Sequence, residues 1–266
     1  MYQDVVDLKA FYDSALGRIT ARLIRRQITL LWPDISRMDI MGLGYATPYL
    51  DVFRSRASRV ISIMPAPQGV VHWPRQNGAA DPGGRNRYKG NLTALAHEGN
   101  LPVMDGVFDR ILMVHILEHT EQSRHLLREV WRSLAPGGRV IVVVPSRMGF
   151  WARTDRTPFG HGKPFSTQQI HRILTENMLT PTKSTSALHL PPFQRRALLS
   201  LMTSLENTGH RWWANLAGTL IVEAEKQIYA TGPTVKKHKR AARPAIASNP
   251  FNIGDLPGNP APRQHS

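Results

Sequence analysis

Cysteine is absent from the 266-residue chain, which excludes a disulfide framework, a thiolate metal site and a cysteine nucleophile. Acidic residues are scarce, with 19 Asp and Glu against 34 Lys and Arg, a net charge of +15. Long apolar runs are missing too: none approaches the ~18 residues that cross a bilayer. The opening MYQDVVDLKAFYDS lacks the basic start and apolar stretch of an export signal. These absences point to a cytoplasmic protein with no transmembrane segment, and leave any metal site to histidines and carboxylates.

The length suits one large α/β domain with additions. From Gly232 onward, six Lys and Arg stand against Asp255 alone, among six Pro and three Gly. Such a segment buries too little apolar surface to offset its ordering entropy, so residues 232–266 read as a disordered basic tail. The tail carries +5 of the charge, so the folded part keeps +10. Before it, residues 1–34 read as an N-terminal helical segment and 35–231 as the main domain. Over residues 8–31, Leu16, Ile19, Leu23 and Leu30 share one helical face, opposite Arg18, Arg22, Arg25 and Arg26. Pro33 ends this helix. Its apolar stripe suits a ligand cleft or another subunit equally, and its basic back reads as a solvated face in preference to a phosphate or membrane-surface contact.

Short apolar runs follow: MDIMGLG (38–44), RVISIM (59–64), LTALA (92–96), DRILMVH (109–115) and GRVIVVVP (138–145). Runs of Val, Ile and Leu with little alternation predict strands covered on both faces. Between the last two, Leu127, Val130, Trp131 and Leu134 recur at helical spacing until Pro136-Gly137-Gly138. Strand, helix, strand in this order predicts a parallel doubly wound sheet, with ligands at the carboxyl ends of its strands. Ser166 and Gln169 have capping-box spacing for a further helix. FQRRALLSLMTSLE predicts another, and GTLIVEAEKQIYA (218–230) a final antiparallel edge strand.

Asp39, Gly42 and Gly44 lie where the first strand must turn, and glycine there admits a ligand close to backbone amides. The dinucleotide pattern G-x-G-x-x-G is incomplete, since Thr47 stands at its third glycine. His115, Glu118 and His119 have the H-x-x-E-H spacing of a zinc-peptidase signature. That chemistry needs both histidines on one helix, whereas His115 follows the strand ILMV, so no metal is expected.

The segment LPVMDGVFDRILMVHILEH with LLREVWRSLAPGGRVIVVVPS resembles the class I S-adenosylmethionine-dependent methyltransferases, in the type 11 methyltransferase-domain group. Leu101, Pro102, Asp105, Phe108, Asp109, Leu117, Glu118, His119, Leu134, Pro136, Gly137 and Gly138 carry the resemblance in order, over residues 38–180. It implies a seven-stranded Rossmann-like sheet and S-adenosylmethionine as cofactor. It also implies that Gly42, Gly44 and Tyr45 pass the methionine part, that Asp39 supports their loop, and that His97 or Glu98 contacts adenine. Glu98 is favoured, because a carboxylate accepts from the exocyclic amine. His115 is the candidate general base, or else a structural histidine at a strand end. Glu118 and His119 are expected to start the following helix. The family's ribose-binding carboxylate has no counterpart: Met64 occupies its position.

The resemblance implies methyl transfer to a small-molecule or lipid-like acceptor. Residues 146–166, with Arg147, Arg153, Arg156, His161 and Lys163, form the expected acceptor side, which suits an anionic acceptor or is merely solvated. Residues 71–91 read as a lid or an insertion. Met64 keeps open a binding protein without catalysis, and the charge keeps open a nucleic-acid-associated protein. Base-amine methylation is disfavoured, since HILEH replaces the Asn or Asp with two prolines and an aromatic that it uses.

Overall fold

The computed structural model describes residues 2–74, 90–192 and 217–227. The chain divides into two units, Met1–Ala230 and Thr231–Ser266, and every described residue belongs to the first. The predicted tail and the predicted helix FQRRALLSLMTSLE lie outside the described residues.

Each apolar run becomes a strand: β1 (Asp39–Gly44), β2 (Arg59–Pro65), β3 (Thr93–Ala96), β4 (Phe108–Val114) and β5 (Leu134–Pro145). With β6 (Leu179–Ala187) and β7 (Thr219–Lys226) they form one sheet in the order β3-β2-β1-β4-β5-β7-β6. β1 to β5 pair in parallel, and β7 runs antiparallel to both β5 and β6. The fold is the doubly wound, mostly parallel seven-stranded sheet expected.

Both faces of the sheet are covered, and alternate strand residues serve opposite cores. Ile40, Leu112 and Ile141 pack with Leu8, Ile24, Trp32 and Tyr49. Met41, Ile111 and Val142 pack with Leu127 and Val130 of α4 (Ser123–Ser133) and with Ile170 and Leu174 of α5 (Thr167–Glu176). Burying each such side chain contributes roughly 1.5–3 kcal/mol. Ser166 and Gln169 make the predicted capping box on α5. Arg132 of α4 donates to the carbonyls of Leu101 and Val103 and pairs with Asp105, while Glu129 accepts from the Leu101 N–H. The L-P-x-x-D element is thereby fastened beneath β4.

Four expectations are corrected. The single N-terminal helix is two, α1 (Val5–Asp13) and α2 (Ala15–Leu31). Between them Ser14 is extended (φ −70°, ψ 165°), and its Oγ accepts from the Gly17 N–H. Leu30, placed on the apolar stripe, is 64% exposed, and Ala21, Ile24 and Ile28 supply the buried face with Leu23. The strand over 218–230 is not an edge: β6 lies outside it, carrying Pro181 and Lys183. Glu118 does not open a helix, since α4 begins five residues later at Ser123.

Gly44 ends β1 with φ +80°, where an added Cβ would lie 2.2 Å from the Val114 carbonyl oxygen. Gly137 has a similar φ of +71°, but nothing lies within 4 Å of its Cβ position. Gly44→Ala is therefore expected to cost at least ~3 kcal/mol, from strain plus overlap, and Gly137→Ala only ~1 kcal/mol. Urea unfolding of both variants checks this; equal losses would contradict the packing account.

Candidate active site

The order β3-β2-β1-β4 places the switch of winding direction between β1 and β4, where a crevice forms at the carboxyl ends. Register aligns those ends: Gly44 pairs with Val114, Leu43 with Ile63, and Pro65 with Ala96. The segments leaving β1, β2, β3 and β4 therefore meet along one edge of the sheet.

His115, directly after β4, anchors the cluster. It adopts φ +54°, a left-handed conformation that a non-glycine residue takes only when its surroundings hold it there, and its side chain is fully buried. Its Nδ1 lies 3.2 Å from Glu118 Oε1, and its Nε2 lies 2.8 Å from the Tyr12 hydroxyl. A carboxylate can only accept, so Nδ1 carries the proton and Nε2 accepts from Tyr12. Tyr12 also meets the Tyr49 hydroxyl at 2.7 Å and stacks on Tyr45, centroids 5.5 Å apart. Phe159 packs on the His115 ring at 4.8 Å. Gln68, in the turn after β2, donates Nε2 to the His115 carbonyl at 3.0 Å.

The expected site residues divide in two. Gly44, Tyr45 and His115 meet at this edge, with the Tyr45 N–H donating to Val114 O at 2.8 Å. Glu98 stands at the end of β3, where Oε1 accepts from Thr120 Oγ1 at 2.7 Å. His97 is exposed and accepts from the Gly99 N–H. Gly42 serves packing, since its added Cβ would meet Leu50 at 2.5 Å and Ala46 at 2.8 Å. Met64 is fully buried in the apolar core. Asp39 begins β1 at the far end of the strand, paired with Arg59 at 2.8 Å. Its N–H donates to Asp109.

Sequence reasoning missed Tyr12, Gln68 and the partnership of Glu118 with His115. Their partners lie 103, 47 and 3 residues away, and only the H-x-x-E spacing hinted at any of them. The H-x-x-E-H donors do gather: one ligand atom each from His115, Glu118 and His119 falls within 4.8 Å of the others, all buried. Two of the three residues also hydrogen-bond each other, His115 through Nδ1 and Glu118 through Oε1. From the expected acceptor side, Phe159 and Trp151 are buried behind His115, while Arg147, Arg153, Arg156 and Lys163 are exposed. Residues 75–89 of the expected lid lie outside the described residues.

Residues 39–142 match the family model of the methyltransferase domain. The matched stretch is a methyltransferase domain. Its fold is shared with solved structures at low identity. A methyltransferase of Thermotoga maritima is 15% identical with a TM-score of 0.57, over 84% of this chain and 96% of that one. The geranyl diphosphate C-methyltransferase of Streptomyces coelicolor is 15% identical with a TM-score of 0.52, over 77% and 75%. An S-adenosylmethionine-dependent methyltransferase of Mesorhizobium loti is 15% identical with a TM-score of 0.50, over 80% and 99%. No curated protein matches the sequence.

The methyltransferase's residues fit the cofactor. Gln68 Oε1, Glu98 Oε2 and Glu118 Oε2 are buried acceptors without a partner among the described residues. S-adenosylmethionine brings an ammonium, ribose hydroxyls, an adenine amine and a positive sulfonium, all of which suit acceptors or carboxylates. Gln68 stands four residues beyond Met64, in the turn that leaves β2.

Burial first, then neighbouring Tyr49, hold the Tyr12 phenol well above its ordinary pKa. Burial also raises Tyr49. The folded state keeps these protons when the unfolded chain loses them above about pH 10. Their contribution is thus complete below that pH and is lost as pH rises through the folded values. Urea midpoints measured between about pH 9 and 11 should fall more steeply for the natural protein than for Tyr12→Phe/Tyr49→Phe. Parallel falls would contradict the assignment.

Proposed function

We propose that the methyltransferase transfers a methyl group to a hydroxyl of a small or lipid-like acceptor, with His115 as general base. The observation that carries this reading is the Tyr12–His115–Glu118 chain. Glu118 holds the Nδ1 proton, which leaves Nε2 basic and aimed, and a hydroxyl already rests on Nε2 at 2.8 Å. An acceptor hydroxyl replacing that of Tyr12 meets the same nitrogen. When bound, S-adenosylmethionine supplies a methyl activated by its sulfonium charge.

The chain's own residues then have few tasks. Gln68 and Glu98 hold hydrogen-bond donors of the cofactor, and Glu118 fixes the tautomer of His115 and stabilises the imidazolium as the acceptor proton arrives. Trp151 and Phe159 keep water from the ring. His115 has no exposed surface while Tyr12 covers it, so α1 must withdraw its tyrosine for the acceptor to enter and can return over the filled site.

Titration calorimetry with S-adenosylhomocysteine and turnover with labelled methyl groups test these roles separately. Gln68→Ala and Glu98→Gln should weaken binding by about tenfold each, the worth of one hydrogen bond to a charged or buried partner. His115→Ala should bind the product within about threefold of the natural protein yet lose ~10²–10⁴-fold in turnover. Full turnover by His115→Ala on a hydroxyl acceptor would overturn the base assignment.

A further inference from the structure

The basic back of the N-terminal helix, read from sequence as a solvated face, lines a cavity instead. A groove of about 670 Å³ lies between α1, α2, the start of α3 (Thr47–Leu50) and the segment after β2. Its wall carries Lys9, Arg18, Arg22, Arg25 and Arg54 against Asp13 and Asp51, a net charge of +3. Both carboxylates are engaged: Asp13 pairs with Lys9 at 3.9 Å, and Asp51 accepts from Trp73 Nε1 at 3.0 Å beside Arg54 at 3.8 Å. Positive charge therefore exceeds negative charge along the described wall of the groove, and Arg18, Arg22 and Arg25 of α2 supply most of it.

Two of those arginines are fixed in place. Arg18 donates to the Asp13 main-chain carbonyl and Arg25 to that of Pro48. Neutral carbonyls orient a guanidinium without cancelling its charge, and Arg25 Nε remains buried with no partner among the described residues. Residues 18, 22 and 25 follow one another along a single helical face over ~10 Å. Held forks of N–H donors at this spacing match phosphate oxygens better than any neutral ligand. Pro48, Val71 and Pro74 give the groove an apolar side. At its inner end stand Tyr45 and Tyr12, the residue whose hydroxyl rests on His115.

We propose that this groove binds a small organic phosphate or diphosphate, anchored on Arg18, Arg22 and Arg25, with its apolar body running towards Tyr12. A free phosphorylated molecule fits better than a membrane surface, because the charges line a concavity between four segments rather than a flat face. That the ligand is the methyl acceptor rests on the proposed function; that a phosphate binds here does not.

Calorimetric titration of the full chain with inorganic pyrophosphate, in the absence of cofactor, tests the groove. Arg18→Ala/Arg22→Ala should weaken binding by at least about tenfold, whereas Arg124→Ala/Arg128→Ala on the exposed face of α4 removes equal charge and should change it less than about twofold. Equal losses in the two variants, or no pyrophosphate binding by the natural protein, overturn the proposal. Binding of phosphatidylglycerol vesicles that Arg18→Ala/Arg22→Ala abolishes, without pyrophosphate binding, also overturns it in favour of a membrane surface. S-adenosylhomocysteine titrated into the same samples separates the two readings: a phosphate result that fails while the cofactor product still binds removes only the groove.

Discussion

The approach of Gly44 to the Val114 carbonyl is the constraint on which the site depends. With no Cβ, residue 44 turns left-handed against the neighbouring strand, and the next residue, Tyr45, donates its N–H to the same carbonyl oxygen. β1 is thereby locked to the end of β4. The chain beyond β4 then turns through His115, also left-handed, which sends the imidazole back under Tyr45 and Tyr12 instead of out to water. A side chain at residue 44 would separate the two strand ends, and His115, Glu118 and Tyr12 would lose their common position.

Around that lock the polar groups form a closed chain with open ends. Tyr49, Tyr12, His115 and Glu118 satisfy one another through three contacts, and Gln68 ties the turn after β2 to the His115 carbonyl. Three of the buried acceptors that lack a partner among the described residues, on Gln68, Glu98 and Glu118, lie on the segments that leave β2, β3 and β4. Unpaired buried acceptors are costly in a resting fold. Their concentration at the strand ends is what a donor-rich, positively charged cofactor would relieve. α1 completes the arrangement from outside: the helix that contributes Tyr12 also borders the arginine-lined groove, so a single element touches His115 and the proposed phosphate site.

β1, β2, β4 and β5 were legible in the sequence because each is a mostly apolar run, as suits strands covered on both faces. β6 was not: LTPTKSTSA has one polar, solvated side and follows no apolar rhythm, as suits an edge. The division of the N-terminal helix was hidden inside a continuous helical pattern, since Ser14 breaks it by capping and not by a proline or glycine. At the site, the glycine turn and His115 were readable from their place at strand ends. Asp39 was misjudged because a motif's order along the chain does not tell which end of a strand a side chain serves; it answers Arg59 at the opposite end from the crevice. Gln68 and Tyr12 carried no signal, for their partners are a backbone carbonyl and a ring brought near only by the fold.

The claim that the cofactor lies over the carboxyl ends of β1 to β4, beneath α1, is tested most directly by hydrogen–deuterium exchange of the full chain with and without S-adenosylhomocysteine. Exchange should slow together in residues 44–47, 64–68, 96–98 and 115–119, and it should change in α1. Protection confined to other parts of the sheet, or saturating ligand with no change at these strand ends, would contradict the account.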